Sequence, residues 1–412
     1  MQNTPKGLRL HIGIFGKRNV GKSYILNSLT NQNISIVSDV AGTTTDPVEK
    51  SMELLPLGPV LFVDTAGIDD EGKLGEMRIR KTFKILDRTD LAIIISEGSK
   101  WDKFENELYS EFTKRNIPVI PVFNKSDLGI ISKNEIEEIK NLKLNPIITS
   151  AKLGQGINDL KKEIIKLAPD EFLNTPSVVS DLVPPGELAV LVVPIDLEAP
   201  KGRLILPQVQ TIRDLLDNDS LSMVVKEREL KDALSILNKL PHLVITDSQA
   251  FLKVSADVPR NVKLTSFSIL FARLKGDLGE FVRGATAIEN LKPGNKVLIC
   301  ESCTHHDIGD DIGRVKIPRW LTQYVGGKLE FVHYAGHDFP KNISDYNLII
   351  HCGACMTNRR EILSRIMRAK EAGVPITNYG LSIAYSLGIF ERALEPFPLA
   401  KQIYDESRQG KK

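Results

Sequence analysis

Residues 16–23 read Gly-Lys-Arg-Asn-Val-Gly-Lys-Ser, a full match to the phosphate-binding loop, which requires a strand before it and a helix after it. Gly16 and Gly21 allow the backbone to wrap around phosphates with its N–H groups pointing inward. Lys22 can reach the β- and γ-phosphates, and the Ser23 hydroxyl can bind Mg²⁺. The stretch therefore predicts an α/β domain that binds a nucleoside triphosphate together with magnesium.

The chain around this loop supports the same fold class. From residue 8 to residue 170, short apolar runs alternate with amphipathic segments, which is typical of a mostly parallel sheet flanked by helices. The strand candidates are Leu8–Phe15, Val60–Val63, Leu91–Ile95, Val119–Phe123 and Pro146–Thr149, and the helix candidates include Lys22–Leu29 and Asn134–Asn141. We therefore predict a P-loop domain over residues 1–170.

Two motifs at the ends of later strands indicate guanine as the base. Asn124-Lys125-Ser126-Asp127 ends one strand, and the Asp127 carboxylate can accept hydrogen bonds from N1 and N2 of guanine, which adenine does not offer. Ser150-Ala151-Lys152 ends the next strand, where a backbone amide can reach guanine O6. The predicted nucleotide-binding residues are Gly16, Asn19, Gly21, Lys22, Ser23, Asn124, Lys125, Asp127, Ser150, Ala151 and Lys152.

The remaining parts of a GTP-hydrolysing centre lie between the phosphate loop and the base motifs. In Asp64-Thr65-Ala66-Gly67, the carboxylate of Asp64 can orient the Mg²⁺ water shell and the amide of Gly67 can meet the γ-phosphate. Residues 41–46 occupy the place of a switch loop, and Thr44 is our candidate for completing the Mg²⁺ shell. The predicted catalytic residues are Lys22, Thr44, Asp64 and Gly67, with Ser23 and Thr44 on the magnesium ion.

Composition limits the classes of partner. The 412 residues are 42% apolar and 26% charged with a net charge of +2, which gives no reason to expect binding to nucleic acid or to an anionic membrane surface. No apolar run approaches the ~20 residues that span a bilayer, and Met1–Arg9 has no apolar segment of a secretory signal behind it. The expected compartment is the cytoplasm.

Two further domains are predicted after the first. A proline-containing stretch over residues 169–186 leads into a small α/β unit over residues 180–265, and a third α/β unit follows over residues 268–412. The second unit contains the apolar run Leu188–Ile195, a helix around Val209–Asp217 and strands near Met223–Val225 and Leu243–Thr246. The third contains strands at Lys296–Cys300, Leu329–His333, Leu348–His351 and Val374–Thr377 and helices at Arg359–Ala372 and Leu381–Leu387.

All four cysteines lie in the third unit, as the pairs Cys300/Cys303 and Cys352/Cys355. In a reducing compartment this clustering favours a metal site over disulfides. All four thiolates can hold a structural zinc ion; alternatively, three of them can hold three irons of a [4Fe-4S] cluster, and the fourth iron takes a weaker ligand or stays open. Cys300 ends the apolar run 297–299, so burial as a small hydrophobic residue also explains it.

Other candidate ligands stand beside these cysteines. His305 follows Cys303 by two residues and His351 directly precedes Cys352, so both are candidates for the metal site. The acidic run 307–311 offers Asp310 as a labile oxygen ligand. Both cysteine segments follow predicted strands, and α/β folds place their sites at such strand ends.

The first domain resembles the translation-factor-related GTPases, among them the tRNA-modifying and ribosome-assembly enzymes. In that group an asparagine at the position of Asn19 helps to bind K⁺ beside the phosphates, and the cation supplies the positive charge that other GTPases take from an arginine finger. Ile68 stands where other GTPases carry a water-orienting glutamine. The resemblance implies slow intrinsic hydrolysis that potassium stimulates.

The whole chain resembles the [FeFe]-hydrogenase maturation GTPases, on the joint evidence of the GTP-binding motifs, Cys-x-His at 303–305 and His-Cys-x-x-Cys at 351–355. The resemblance implies a scaffold that receives a transient diiron precursor from two radical-SAM maturases and delivers it to apo-[FeFe]-hydrogenase. It also implies a homodimer formed through the middle domain and a [4Fe-4S] cluster held by three cysteines with an exchangeable fourth site. The implied cluster ligands are Cys303, Cys352 and Cys355, with His305, His351 or Asp310 as the candidate fourth ligand.

One alternative function belongs to a different class. A ribosome- or RNA-directed GTPase with a zinc-stabilised C-terminal domain would predict a basic surface that bears aromatic residues. The segment 307–311 beside the cysteines is acidic and the net charge is close to zero, which favours the scaffold function.

Overall fold

The computed structural model describes residues 5–30, 48–65, 84–98, 101–129, 132–173, 176–194, 204–302 and 311–409. The chain divides into two compact units, residues 1–175 and residues 176–412. Within the part of the chain that the structure describes, no helix is both long enough and apolar enough to cross a membrane.

The first unit is built on a six-stranded sheet in the order β2-β3-β1-β4-β5-β6, in which all neighbours are parallel except the antiparallel pair β2 and β3. Its strands are β1 (Leu10–Gly16), β2 (Val48–Leu54), β3 (Gly58–Asp64), β4 (Leu91–Glu97), β5 (Val119–Asn124) and β6 (Ile147–Ile148). Its described helices are α1 (Lys22–Thr30), α2 (Lys103–Lys114), α3 (Lys133–Asn141), α4 (Ile157–Leu167) and α5 (Asp170–Leu173). The predicted α/β P-loop fold is confirmed.

The centre of this sheet determines where the phosphate loop lies. Every residue of β1 is buried, because parallel strands covered by helices on both faces bury both of their side-chain rows. β1 lies between β3 and β4 and runs directly into the loop at Gly16. The carboxyl ends of β1, β3 and β5 therefore present the phosphate loop, Asp64 and Asn124 at one edge of the sheet.

The second unit contains two four-stranded, fully parallel sheets, in the orders β10-β9-β7-β8 and β12-β11-β13-β14. Its strands are β7 (Leu188–Val192), β8 (Leu221–Val225), β9 (Leu243–Thr246), β10 (Lys263–Ser266), β11 (Lys296–Glu301), β12 (Glu330–Ala335), β13 (Leu348–His351) and β14 (Ile376–Asn378). Its described helices are α6 (Leu206–Asp217), α7 (Leu230–Ser235), α8 (Phe251–Asp257), α9 (Phe267–Lys275), α10 (Leu278–Thr286), α11 (Ile317–Val325), α12 (Arg359–Glu371), α13 (Tyr379–Ser386), α14 (Phe390–Leu394) and α15 (Pro398–Gln409).

A single apolar core runs through both sheets of the second unit, from Val178 to Tyr404. The apolar run that starts at Leu188 forms β7, an interior strand between β9 and β8. β8 is the last strand of its sheet, and Leu221 and Val224 leave 58% and 45% of their surfaces exposed. The opposite edge strand, β10, is buried apart from Lys263.

Candidate functional site

The phosphate loop has a backbone that only certain residues can adopt. Gly16 and Gly21 have φ angles of +149° and +96°, a region that side chains with a Cβ rarely enter. A Cβ at Gly16 would lie 2.3 Å from the carbonyl oxygen of Ile95, and one at Gly21 would lie 2.3 Å from Nδ2 of Asn124. Both glycines are therefore required by the close packing of the loop against β4 and β5.

Lys22 is folded back over this loop. Its Nζ donates to the carbonyl oxygens of Gly16 at 2.8 Å and Lys17 at 2.6 Å, and the side chain is buried. The ammonium group is therefore held at the mouth of the loop, where phosphate oxygens would meet it.

Ser23 and Asp64 meet beside the loop, as a magnesium site requires. The Ser23 hydroxyl donates to Oδ2 of Asp64 at 2.9 Å. The other oxygen of this carboxylate, Oδ1, is buried and has no hydrogen-bond partner among the residues that the structure describes. Burial raises the pKa of Asp64, and the Lys22 ammonium partly opposes the rise. A buried carboxylate oxygen without a donor fits a cation or its water shell, so these residues fit Mg²⁺. Thr44 and Gly67 lie outside the described residues.

Asn124 joins the phosphate loop to both base motifs. Its Nδ2 donates to the carbonyl oxygen of Val20 at 2.8 Å, and its Oδ1 accepts from the Thr149 hydroxyl and from the amide of Ala151, each at 3.1 Å. The side chain is 2% exposed. The Asn124 side chain thus fixes the segments at 124–127 and 150–152 relative to the phosphate loop.

Asp127 is exposed at the end of this arrangement. The Ser150 hydroxyl donates to its Oδ1 at 2.6 Å, and this bond holds the pKa of Asp127 below its usual value. The carboxylate is therefore ionised and can accept from the guanine edge. Lys125 has a left-handed backbone with φ of +62°, and its Nζ lies 3.1 Å from Glu97. Lys152 is exposed next to Ala151.

Asn19 lies in the loop with φ of +61° and an exposed side chain. Asparagine is one of the few residues other than glycine that adopt this left-handed conformation readily. The backbone therefore gives a reason for an asparagine here that is separate from the predicted contact with K⁺.

The cysteine segment lies in the second unit, immediately after β13. Cys352 and Cys355 are both half-buried. The Sγ of Cys352 accepts from the backbone amides of Ser302 at 3.1 Å and Ala354 at 3.5 Å. Burial, together with the neighbouring Cys352, raises the pKa of Cys355 to about 11. Amide N–H groups directed at a sulfur are a common environment of cluster-bound thiolates, so these two cysteines fit an iron–sulfur ligand pair.

Three of the other predicted ligands belong to the segment 303–310. Cys303, His305 and Asp310 lie outside the residues that the structure describes. Among the described residues, no group of three or more His, Cys, Asp or Glu side chains forms a metal site.

His351 is described, and both of its ring nitrogens are used in hydrogen bonds. Nε2 accepts from Nη1 of Arg365 at 2.8 Å, so the proton lies on Nδ1, which donates to the carbonyl oxygen of Cys352 at 3.0 Å. Burial, with the Arg365 charge, lowers the pKa of His351 to about 3. In this arrangement neither nitrogen has a lone pair to offer a metal. His351 would have to give up one of these hydrogen bonds in order to bind a metal.

Cys300 is fully buried in β11, and burial raises the pKa of its thiol to about 12. Its neighbours in the sheet are Tyr334 and His351. An inert thiol in the core is what the apolar run before it predicts.

The sequence patterns missed several residues that shape the cysteine site. Ser302 supplies the amide that reaches Cys352, and its position directly after β11 is a signal that could have identified it. Tyr379 begins α13 after β14, and its hydroxyl donates to Oε1 of the buried Glu301 at 3.1 Å. The carboxyl ends of three neighbouring strands thus meet around Cys352.

Three family models match this chain. The model described as the Hydrogen maturase F dimerization domain matches residues 178–276, and the Hydrogen maturase F tetramerization domain matches residues 279–396. The model described as a 50S ribosome-binding GTPase matches residues 11–125.

Two relatives of known name each match about two fifths of this chain. The GTPase Der of Wolinella succinogenes is 38% identical over 177 residues, which are 40% of this chain and 37% of that protein. The tRNA modification GTPase MnmE of Flavobacterium johnsoniae is 36% identical over 174 residues, 40% of this chain and 36% of that protein. The chain thus spans little more than a third of the length of these relatives. The G domain of the T. maritima FeoB iron transporter is 20% identical with a TM-score of 0.31, covering 39% of this chain and 98% of that chain.

Proposed function

Because this chain belongs to the hydrogen maturase F family, we propose that it is a GTP-hydrolysing scaffold that carries a diiron precursor and delivers it to apo-[FeFe]-hydrogenase. The observation that carries this proposal is the combination, in one chain, of a GTP-binding unit with a half-buried cysteine pair set among amide donors. The matches to the Hydrogen maturase F dimerization and tetramerization domains favour this function over that of an RNA-directed GTPase with a structural zinc domain.

The GTPase activity rests on the residues at the carboxyl edge of the first sheet. Lys22 would bind the β- and γ-phosphates, and Ser23 and Asp64 would hold Mg²⁺, which neutralises charge on the phosphates when bound. Asp127 would select guanine. Thr44 and Gly67 would complete the centre, and Asn19 would help to bind K⁺.

The cargo site rests on the cysteines of the second unit. Cys352 and Cys355, together with Cys303, would hold a [4Fe-4S] cluster, and His305 or Asp310 would be the exchangeable ligand at its fourth iron. The diiron precursor would come from two radical-SAM maturases and leave for the apo-hydrogenase. Three thiolates retain the cluster, whereas one weaker donor leaves a position that can exchange.

We further propose that two copies pair through the middle sheet. β7 is interior, and the edge strand β10 is buried apart from Lys263. The available edge is therefore β8, whose partly exposed residues include apolar side chains that suit strand addition. The match of residues 178–276 to a dimerization domain supports this assignment.

The test is anaerobic purification of the full-length chain, followed by reconstitution with iron and sulfide. We expect a brown protein with about four irons per chain, a rhombic or axial EPR signal after reduction, and GTP-dependent maturation of apo-[FeFe]-hydrogenase when the radical-SAM maturases have supplied the precursor. A colourless protein that binds one zinc ion per chain would overturn the proposal and favour the RNA-directed alternative.

A further inference from the structure

A buried lysine lies next to the cysteine segment, on an element that the sequence does not connect with it. Lys275 ends α9 and is 3% exposed. Its Nζ donates to the carbonyl oxygen of Thr357 at 3.0 Å, two residues after Cys355. A lysine with so little exposure loses its hydration, so the protein must hold it by specific contacts.

Arg359, which follows Cys355 by four residues, binds the same end of α9. Nη1 of Arg359 donates to the carbonyl oxygens of Leu274 at 2.7 Å and Gly276 at 3.2 Å. Lys275 of α9 thus binds the segment after the cysteines, and Arg359 of that segment binds the end of α9. The reciprocal bonds fix the ammonium group relative to the turn at 352–357.

The ammonium group lies close to the cysteine segment, because the carbonyl oxygen that it binds belongs to the residue two positions after Cys355. A buried positive charge at this place attracts negative charge on the neighbouring ligands. The same attraction would stabilise additional negative charge on a cluster bound by this cysteine, because Coulomb interactions are weakly screened at a buried site.

We infer that Lys275 is a positioning residue of the cysteine site, which holds the Cys352–Thr357 turn and sets the reduction potential of the cluster bound there. The inference rests on the proposed cluster-carrying function. A fixed positive charge near a cluster favours its one-electron reduction, and removal of that charge disfavours it.

The experiment is an EPR-monitored redox titration of the reconstituted full-length chain with dithionite and mediators. In Lys275→Met we expect four irons to remain and the ratio of reduced to oxidised cluster at a fixed potential to fall about tenfold, which is 59 mV for one electron. Lys275→Arg, which keeps the charge, should titrate like the wild type. The matched control is Lys370→Met, which removes an exposed lysine that pairs with Glu280 on the surface and should leave the potential unchanged.

Each outcome bears on the inference. An unchanged potential in Lys275→Met with four irons overturns it. If Lys275→Met loses iron while it stays folded, retention of iron by Lys275→Arg supports the role of the charge, and loss in both variants overturns it. If Lys275→Met does not fold, Lys275→Gln replaces it, because its amide can still donate to the Thr357 carbonyl, and the same criteria apply. A wild-type chain that binds no cluster would instead reject the proposed function.

Discussion

Asp127 is the residue on which we expect the choice of base to depend, and its exposed carboxylate accepts from the Ser150 hydroxyl at 2.6 Å. An asparagine there replaces one acceptor by a donor, which suits the 2-oxo group of xanthine better than the amino group of guanine. We expect Asp127→Asn to lower kcat/KM for GTP by at least ~100-fold and to raise it for XTP. Steady-state hydrolysis of both nucleotides measures this. Ser150→Ala, which leaves the carboxylate in place, should still prefer GTP; an unchanged preference in Asp127→Asn would contradict the assignment.

Asn19 has two physical explanations, which variants can separate. Its φ of +61° favours asparagine or glycine, and its exposed side chain is the proposed ligand of K⁺. Asn19→Gly keeps the backbone conformation and removes the amide. We expect wild-type GTP hydrolysis to be ~10-fold faster in K⁺ than in Na⁺, and Asn19→Gly to turn over equally slowly in both salts.

The control for this prediction is Asn19→Asp, which retains a side-chain oxygen and should retain most of the response to K⁺. If wild type and Asn19→Gly respond equally to K⁺, Asn19 serves only the backbone of the loop. If the wild type does not distinguish K⁺ from Na⁺, the proposed cation site is absent.

At the scale of elements, the strands that the sequence predicts are those with continuous apolar runs. β1, β4 and β5 are buried on both faces, and their continuous apolar runs are typical of such buried strands. β2 was not predicted, because its sequence Val-Glu-Lys-Ser-Met-Glu-Leu belongs to an edge strand with charged residues on its exposed face.

The residues of the candidate sites also differ in how far the sequence predicts them. The motifs at 16–23 and 124–127 are contiguous in sequence, so their residue types and spacing are enough to predict nucleotide binding. The contacts of the cysteine site join residues far apart in sequence: Ser302 reaches Cys352 across 50 positions, and Lys275 reaches Thr357 across 82. No local pattern encodes such partners, because they depend on how the helices pack against the second unit's sheets.

The edge strand β8 gives a prediction at this scale. A lysine on an open strand edge opposes pairing with a second strand, because the charge would have to lose its hydration. We expect Val224→Lys to shift the chain from dimer to monomer at micromolar concentration, as measured by light scattering, with an unchanged circular dichroism spectrum. Leu55→Lys is the control, since Leu55 is 75% exposed in the first unit and should leave the dimer intact. A Val224→Lys dimer would exclude β8 as the pairing edge.

The proposed GTP-hydrolysing site and the proposed cluster site belong to different compact units of the molecule. The phosphate loop, Asp64 and the base motifs lie in residues 1–175, and the described cysteines lie in residues 176–412. Each unit has apolar clusters of its own, which support it independently of the other's ligand. Loss of one function by substitution should therefore leave the other intact.

Because the two proposed sites lie in separate units, substitutions should remove one function at a time. Lys22→Ala removes the cation at the phosphate loop, so GTP hydrolysis should fall at least ~100-fold while about four irons per chain remain after reconstitution. Cys352→Ser weakens a cluster ligand, so most of the iron and all hydrogenase maturation should be lost while GTP hydrolysis persists. Phosphate release and iron content measured on the same preparations check both arms. Cys300→Ala is the control, because this buried thiol lies outside the ligand set and its loss should leave iron and GTP turnover unchanged. Iron loss in Cys300→Ala as large as in Cys352→Ser would show that four cysteines hold the cluster, which would contradict a site with three cysteines and an exchangeable fourth ligand.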